Sequence, residues 1–477
     1  TQMSLKKLLL KIFLLLIFLI IVIGVAYELF FTYKMNVLGK KVTINPDGYN
    51  WMDTIKSLAS KESKNNKFSE KDRINILLLG IAGKGKAGQN LTDTIMIASV
   101  NLKTNQVAFL SVPRDLLVTI PNSGVQTKIN SAYQYGISLN NGDEKKAAEE
   151  VKKIISNLTS LNIDYYVILN FDGFTKVIDS VGGVNVMNER DIYDARYPGP
   201  NYSYETFELK KGFHHLDGAT ALKYARERHD DPDGDFGRAK RQQEIMIATK
   251  NKVFSARTMV NVFALNDLFN ALGDNIRTDI SEDEIGDFIE LTKKADTNNI
   301  SNVVLDAWNK DSLLKVSHIF FGGIRAFVLV PRVGNYSEIQ DIAQNIFDLN
   351  KIKREKDEIG KENATVAIIN KSGNSSLPEK IKKLLNENLS YKNVMILSDP
   401  VKTTRDETVV YDTKEGIKPF TLNEIVKKIP ASASYVLPDY YTKIIENTKT
   451  EIVLVLGKDI IERYNMEEDS IEDYRNA

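Results

Sequence analysis

The sequence predicts an α/β protein in three parts: an apolar N-terminal helix, a larger α/β unit and a smaller one. Three observations lead there. An apolar run, Ile12–Tyr27, sits behind Lys6, Lys7 and Lys11. From Asn75 onward, short apolar runs ending in Gly, Asn or Asp alternate with stretches of helical spacing. A charged stretch, Lys351–Asn363, then separates a long alternating region from a short one. With 477 residues the chain exceeds one ordinary core.

Composition narrows the function. Lys+Arg and Asp+Glu are both 63, so a general nucleic-acid partner is not expected, although a local basic pocket is compatible. The absence of cysteine excludes disulfides, thiolate metal sites and a thiol nucleophile, and suits work outside a reducing cytoplasm. Four histidines (His214, His215, His229, His318) make a three-His metal site unattractive.

Residues 1–11 read as a short cytoplasmic N-terminus and 12–33 as a single transmembrane anchor. Leu8–Leu10 and a snorkelling Lys11 help the run reach the ~20 residues that cross a bilayer. Lysines on the N-terminal side place the remainder of the chain outside the membrane. A cleaved signal peptide is the alternative, but the run is long and no A-x-A site follows. Residues 34–72 are polar and Lys/Asn/Ser-rich, a spacer.

Strands are expected at Asn75–Gly80, Ile95–Val100, Gln106–Val112, Tyr165–Leu169 and Val184–Val186. Helices are expected at Glu144–Leu158 and Phe171–Ser180. Gly83, Gly85 and Gly88 form a glycine-rich loop without the G-K-[ST] ending of a nucleotide-binding loop. Arg190–Phe207 shows no period and reads as a loop. Helical patterns follow at Val260–Leu272 and Glu282–Lys294, then a strand at Phe327–Val330 and a helix at Ile339–Leu349. Residues 351–363 read as a charged linker. The smaller unit, 364–460, carries strands at Val366–Ile369, Val394–Leu397, Thr408–Tyr411 and Ile452–Leu456, with helices at Leu377–Leu389 and Leu422–Ile429. Residues 461–477 read as an acidic, disordered tail.

The chemistry-bearing stretch is Tyr224–Gln243. Arg226 and Arg228 close one helical pattern, and Asp235 is expected to cap the next. Arg238, Arg241 and Gln242 then share one helix face, a suitable place for phosphate. A solvated basic face is the alternative. Arg114 and Asp115 follow a strand end, and Asp93 precedes another, positions from which α/β proteins expose chemistry. An ion pair or a turn-capping Asp would explain them equally.

The ordered motifs N-I-L-L-L-G, T-D-T-I-M-I-A-S-V, S-V-P-R-D, K-I-N-S-A-Y, I-D-Y-Y-V-I-L-N-F-D-G-F, G-x-x-x-L-D-G-x-x-A-L-x-Y-x-R-x-R and G-D-F-G-R-x-x-R-Q-Q run from Asn75 to Thr249. Together they resemble a LytR-CpsA-Psr domain, with the motif core in 75–250 of a catalytic domain at 73–350. Residues 364–460 resemble the family's C-terminal accessory domain. The resemblance implies a central β-sheet flanked by helices. It implies an extracytoplasmic transferase that moves a glycan polymer from a polyprenyl-pyrophosphate carrier to peptidoglycan, with Mg2+ or Mn2+ as cofactor. By the family pattern Asp93, Arg114, Arg226 and Arg228 are catalytic. Arg114, Arg226, Arg228, Arg238 and Gln242 bind the pyrophosphate, and Asp93 holds the metal. Arg241 either reaches this site or faces solvent, and is a secondary candidate. One departure stands out: Ala82 occupies the place of an acid that the family carries after the first strand. The alternatives are a hydrolase of the same carrier, or a non-catalytic envelope scaffold or attenuator that binds wall glycan or lipid-linked precursor.

Overall fold

The computed structural model describes residues 68, 70–121, 123–199, 203–228, 231–253, 273–281, 284–308, 311–414 and 416–475. The expected anchor at 12–33, nearly all of the spacer at 34–72, His229 and the helical pattern at Val260–Leu272 lie outside them. Among the described residues no helix is long and apolar enough to cross a membrane.

The larger unit is built on a six-stranded mixed sheet. Its strands are β1 (Arg73–Ile81), β2 (Thr92–Asn101), β3 (Gln106–Ser111), β4 (Tyr165–Asn170), β5 (Ile276–Thr278) and β6 (Asp296–Val304), in the order β5-β4-β1-β2-β3-β6. β1 pairs antiparallel with β2 and parallel with β4, while β3 pairs antiparallel with β2 and parallel with β6. The apolar runs are near-continuous because both faces are covered. Leu77, Leu79, Ile97 and Leu110 point to one core, where α1 (Ala132–Leu139) and α2 (Glu144–Thr159) pack through Tyr133, Val151 and Ile155. Ile74, Met96, Val100 and Phe109 point to the other, which Leu291 helps to close.

Helix α3 (Phe171–Ser180) starts where β4 ends. The Asn170 side chain accepts from Gly173 N at 2.8 Å, which fixes that corner. Helix α4 (Gly218–Arg226) is capped by Asp217, which accepts from Thr220 N at 2.7 Å. Helix α5 (Gly234–Val253) follows, and α6 (Ile285–Lys294) lies further along the chain.

Several expectations change. Arg190–Phe207 is not a loop: Ile192–Pro198 and Tyr204–Leu209 form an antiparallel pair. A register shift between Asp194 and Tyr197 breaks the alternation that would have revealed it. β6 and β7 (Leu314–Phe321) are additional strands, and β7 forms a hairpin with β8 (Ile324–Pro331). After α7 (Ser337–Gln344), the charged linker is a helix, α8 (Asn350–Glu362), with no buried residue. Surface pairs such as Lys361–Glu358 and Arg354–Asp348 accompany it.

In the smaller unit β9 (Thr365–Asn370), β10 (Asn393–Leu397), β11 (Val409–Asp412), β12 (Ser432–Ser434) and β13 (Ile452–Leu456) form a five-stranded sheet ordered β10-β9-β13-β11-β12. Helix α9 (Leu377–Lys383) covers it, as does α10 (Pro419–Lys428), whose first turn is tied to the linker helix by Glu362 accepting from Phe420 N and Thr421 N. α11 (Asp439–Thr448) completes the unit. The tail is not disordered either. It runs against β7, where Asp469 N donates to Val316 O at 2.8 Å, and ends in a short helix, α12 (Ile471–Arg475). Acidic composition suggested solvation, but Glu467, Glu468 and Asp469 each meet a cation on the protein: Lys380, Arg332 and Arg325 respectively.

The approach of α4 to α3 depends on Gly218, where an added Cβ would lie 2.2 Å from Thr175 O. We expect Gly218→Ala to lower stability by about 1–3 kcal/mol, read as a shifted urea midpoint.

Candidate functional site

Four chain segments meet at one end of the larger sheet. Ile81, the last residue of β1, pairs with Thr92 at the start of β2 and with Asn170 at the end of β4. At the end of β3, Ser111 pairs with Met96, and Val112 N donates to Ile95 O at 2.9 Å. Asp93, Arg114 and Phe171 are therefore neighbours of a common sheet edge. Helix α5 docks onto that edge through Gln243, which donates from Nε2 to Ser111 Oγ at 2.8 Å and to Val303 O at 3.3 Å. This docking carries Arg238 to Asp93, where Arg238 Nη2 donates to the Asp93 carbonyl at 3.3 Å.

The centre of the cluster is Asp235, and its role differs from the expected one. Helix α5 starts at Gly234, with Phe236 N and Gly237 N donating to Asp233 O, so Asp235 is not the cap. Its carboxylate turns inward and takes three arginines. Arg114 Nε lies at 2.8 Å, Arg238 Nη1 at 3.2 Å and Arg228 Nη1 at 3.5 Å. The basic cluster is thus built around an acid. Three guanidiniums this close repel strongly in a buried site, and one carboxylate among them removes much of that cost. Burial pushes the Asp235 carboxyl up, but Arg238, Arg114 and Arg228 outweigh it and hold it at about 2. Burial likewise pulls Arg114 down, and Asp235, Asp115 and Asp93 more than reverse this, so it is held firmly cationic.

Exposure shows which side opens. The side chains of Asp93 and Arg228 are each 41% exposed, Arg114 is 20% exposed and Asp235 is 9%. Asp93 and Arg228 form the mouth, and Asp235 the floor. Asp93 receives Arg114 Nη1 at 3.1 Å and Asn130 Nδ2 at 3.4 Å. Behind Arg114, Asp115 is buried and accepts Lys128 Nζ at 2.6 Å, with Arg114 Nε at 3.5 Å.

The other candidates lie differently. The Arg226 guanidinium sits 4.5 Å above the Phe171 ring and 5.6 Å from that of Tyr197, beside the sheet edge and not on Asp235. Gln242 donates to Ala225 O at 3.2 Å and joins α5 to α4. Arg241 departs most from its expected place. It is buried, donating to Tyr224 O at 2.9 Å and contacting Asp231 and the Glu227 carbonyl, so it clasps the two helices together. His214 and His215 are held at Lys210 O and Asn185 Oδ1 on an exposed strand. Asn130 and Lys128 belong to the K-I-N motif, but their contacts across the sheet edge have no sequence period. Gln243 is the one missed residue with a local signal, as the second glutamine of R-Q-Q.

Among the described residues no group of three His, Asp or Glu side chains could hold a metal by itself. Ala82 is buried one residue beyond the Ile81–Thr92 pair, at the same end of the sheet as Asp93, which falls in the register shift between the Gly80–Thr94 and Ile81–Thr92 pairs. Of the three carboxylates around Arg114, Asp93 is the half-exposed one, which suits an ion that takes its other ligands from phosphate and water.

Because the folded carboxyl of Asp235 lies below its unfolded value of 3.8, its contribution is full above that pH and disappears as the pH falls toward 2. Denaturant titrations from pH 5 to pH 2 should show it as a loss of about 2 kcal/mol. At neutral pH Asp235→Asn should cost roughly 3–5 kcal/mol by leaving buried arginines unpaired. The same variant should lose the part of the acid dependence that this carboxyl supplies.

The LytR_cpsA_psr family profile matches residues 42–321. A relative from Enterococcus faecalis, named polyisoprenyl-teichoic acid–peptidoglycan teichoic acid transferase TagU, is 32% identical over 228 residues, covering 47% of this chain and 67% of the relative. One of the same name from Oceanobacillus iheyensis is 32% identical over 242 residues, 49% of this chain and 69% of the relative. The crystal structure of B. subtilis TagV aligns with 58% of this chain and 98% of that chain, at 26% identity and a TM-score of 0.45. The match extends over more than half of the chain and includes the arginine cluster with its Asp235 floor: this chain belongs to the LytR_cpsA_psr family.

Proposed function

We propose that this chain transfers a glycan polymer from a polyprenyl-pyrophosphate carrier to peptidoglycan through a phosphodiester. The observation that carries the reading is the fan of Arg114, Arg228 and Arg238 on Asp235, beside the half-exposed Asp93. The names of the relatives, teichoic acid–peptidoglycan transferases, suggest the donor and acceptor classes. The reading puts the site outside the cytoplasmic membrane, with the N-terminus inside, in keeping with the lysines before Ile12.

In the proposed reaction an acceptor hydroxyl oxygen attacks the phosphorus nearest the glycan. A new P–O bond forms while the bond from that phosphorus to the bridging oxygen breaks. Polyprenyl monophosphate leaves with the bridging oxygen, and the hydroxyl proton goes to a base or to water. Charge builds on the leaving phosphate, so catalysis requires fixed positive donors more than covalent chemistry. Arg114, Arg228 and Arg238 are fixed before substrate arrives, because Asp235 holds them. Their planar forks fit paired phosphate oxygens. Asp93 at the mouth is placed to accept the hydroxyl proton or to hold a cation.

The cluster's own charge is small. Arg114, Arg228, Arg238 and Lys128 face Asp93, Asp115 and Asp235, leaving an excess of one positive charge. A pyrophosphate brings more negative charge than that, which is why magnesium or manganese belongs to the proposal. Asp93 would hold the ion, and the ion would neutralise phosphate oxygens. With Ala82 in place of an acid, the protein contributes one carboxylate.

The full chain in detergent, given polyprenyl-pyrophosphate-linked glycan, Mg2+ and peptidoglycan, should release polyprenyl monophosphate and leave glycan on the peptidoglycan. Cleavage at the same rate without peptidoglycan would replace this reading with the hydrolase. Arg114→Ala and Arg238→Ala should each lower turnover by the equivalent of about 2–4 kcal/mol. In Ala82→Asp, a second carboxylate at the Asp93 end of the sheet should lower the Mg2+ concentration giving half-maximal rate; an unchanged Mg2+ dependence would disconnect this position from the metal.

A further inference from the structure

Asp115, directly behind Arg114, accepts from a residue that arrives from far along the chain. Tyr474 donates its hydroxyl to Asp115 Oδ2 at 2.9 Å. Its ring packs with Ile471 against the main core of the larger unit. Tyr474 lies well beyond residue 321, where the family match ends.

The tail that delivers it is fastened along its length. Lys315 Nζ donates to Met466 O at 2.6 Å. Arg332 grips both Glu468 carboxylate oxygens at 2.9 Å. Asp469 receives His318 at 2.7 Å and Arg325 at 3.1 Å. Beyond Tyr474, the Arg475 guanidinium lies 3.8 Å over the Trp308 ring and contacts the Pro232 carbonyl. Trp308 itself donates to Asp233 Oδ1 at 3.0 Å, just ahead of the helix that carries Asp235 and Arg238. The tail helix therefore touches both loops that present the arginines.

We propose that Tyr474 is a positioning residue of the arginine site, acting through Asp115 on Arg114. The inference rests on the pyrophosphate reading of that site. Asp115 Oδ2 is shared between the Tyr474 hydroxyl at 2.9 Å and Arg114 Nε at 3.5 Å. While the phenol satisfies this oxygen, Arg114 Nε keeps its shorter bond to Asp235 at 2.8 Å, and Nη1 remains on Asp93. Without the hydroxyl, a buried carboxylate oxygen loses its neutral donor and competes with Asp235 for Arg114. The guanidinium then turns from the mouth toward Asp115. Tyr474 is suited to this role because burial and the Asp115 charge keep its phenol protonated, and thus a donor. Exposure places it on the closed side: Asp115 is buried, and the opening lies at Asp93 and Arg228. Tyr474 therefore supports the site and does not plug it.

The test uses the full chain and inorganic pyrophosphate, with affinity read by calorimetry in Mg2+. Tyr474→Phe keeps the ring and removes the hydroxyl; affinity should fall roughly 10-fold while the chain stays folded, with a melting temperature lowered by only about a few degrees. The double variant Tyr474→Phe/Asp115→Asn should bind no more weakly than Asp115→Asn alone, since both act through one contact. Arg475→Ala loosens the same helix without touching Asp115 and should bind as the parent does. Parent-like affinity in Tyr474→Phe, additive losses in the double variant, or an equal loss in Arg475→Ala would each overturn the role. A parent chain that binds no pyrophosphate would instead remove the pyrophosphate reading, and this inference with it.

Discussion

The site depends on one electrostatic arrangement, a single buried carboxylate shared by three guanidiniums. Arg114, Arg238 and Arg228 come from a strand-end loop, from the first turns of helix α5 and from the chain just past helix α4. Without Asp235 they would repel one another apart or need solvent between them. With it they stand close, charged and partly desolvated, which is the state in which a cation interacts most strongly with phosphate. The acid inside a basic cluster thus serves anion binding, because it lets the cations be in place beforehand. The supports around it follow the same demand. Gln243 fixes helix α5 on the sheet edge, Arg241 clasps α5 to α4, and Asp115 backs Arg114.

Much of the scaffold was legible because burial on both sheet faces produces uninterrupted apolar runs. Strands β1 to β4 follow from that signal, and helices α2 and α3 from the helical spacing of their apolar residues. The signal failed where geometry breaks periodicity. The bulged pair Ile192–Pro198/Tyr204–Leu209 shifts register midway, and β6 also shifts register between Asp296 and Ser301. Charge misled twice. The Lys351–Asn363 stretch read as a linker and the tail as disordered, yet the first is a solvated helix laced by its own surface pairs, and the second is ordered by partners on surfaces no local pattern announces. At the site, residue types were readable and directions were not. Arg238 and Arg241 sit three apart on one helix, but one reaches Asp235 while the other holds Asp231 and backbone carbonyls. Asp235 likewise carried a capping signal from its position after Gly234, while long-range pairing with Arg114 set its actual direction.

The two α/β units are joined by more than a linker. Helix α8 carries Glu362 to the first turn of α10, Asp341 of helix α7 pairs with Lys428 at 2.7 Å, and Tyr464 donates to Val333 O at 3.1 Å. The tail then leaves the smaller unit and returns to the larger. Chain order and spatial order are thus interleaved.

The contact between Tyr474 and Asp115 spans 359 positions in sequence. It closes a loop that contains the whole smaller sheet. Loop-closure entropy grows only logarithmically, so such a loop is harder to close than a short one by just a few kcal/mol at most. The tail that makes it is also fastened to the smaller unit, where Lys380 of helix α9 pairs with Glu467 at 2.8 Å. If Tyr474 positions Arg114 as proposed, the folding of a five-stranded sheet remote from the arginines is linked to the orientation of Arg114. A void opened around Ile381 or Leu454, deep in that second core, would reach the site as a rise in the fraction of molecules whose strap is unseated. On that role, stability in one half of the chain and order at the arginine cluster in the other would be two readings of one equilibrium.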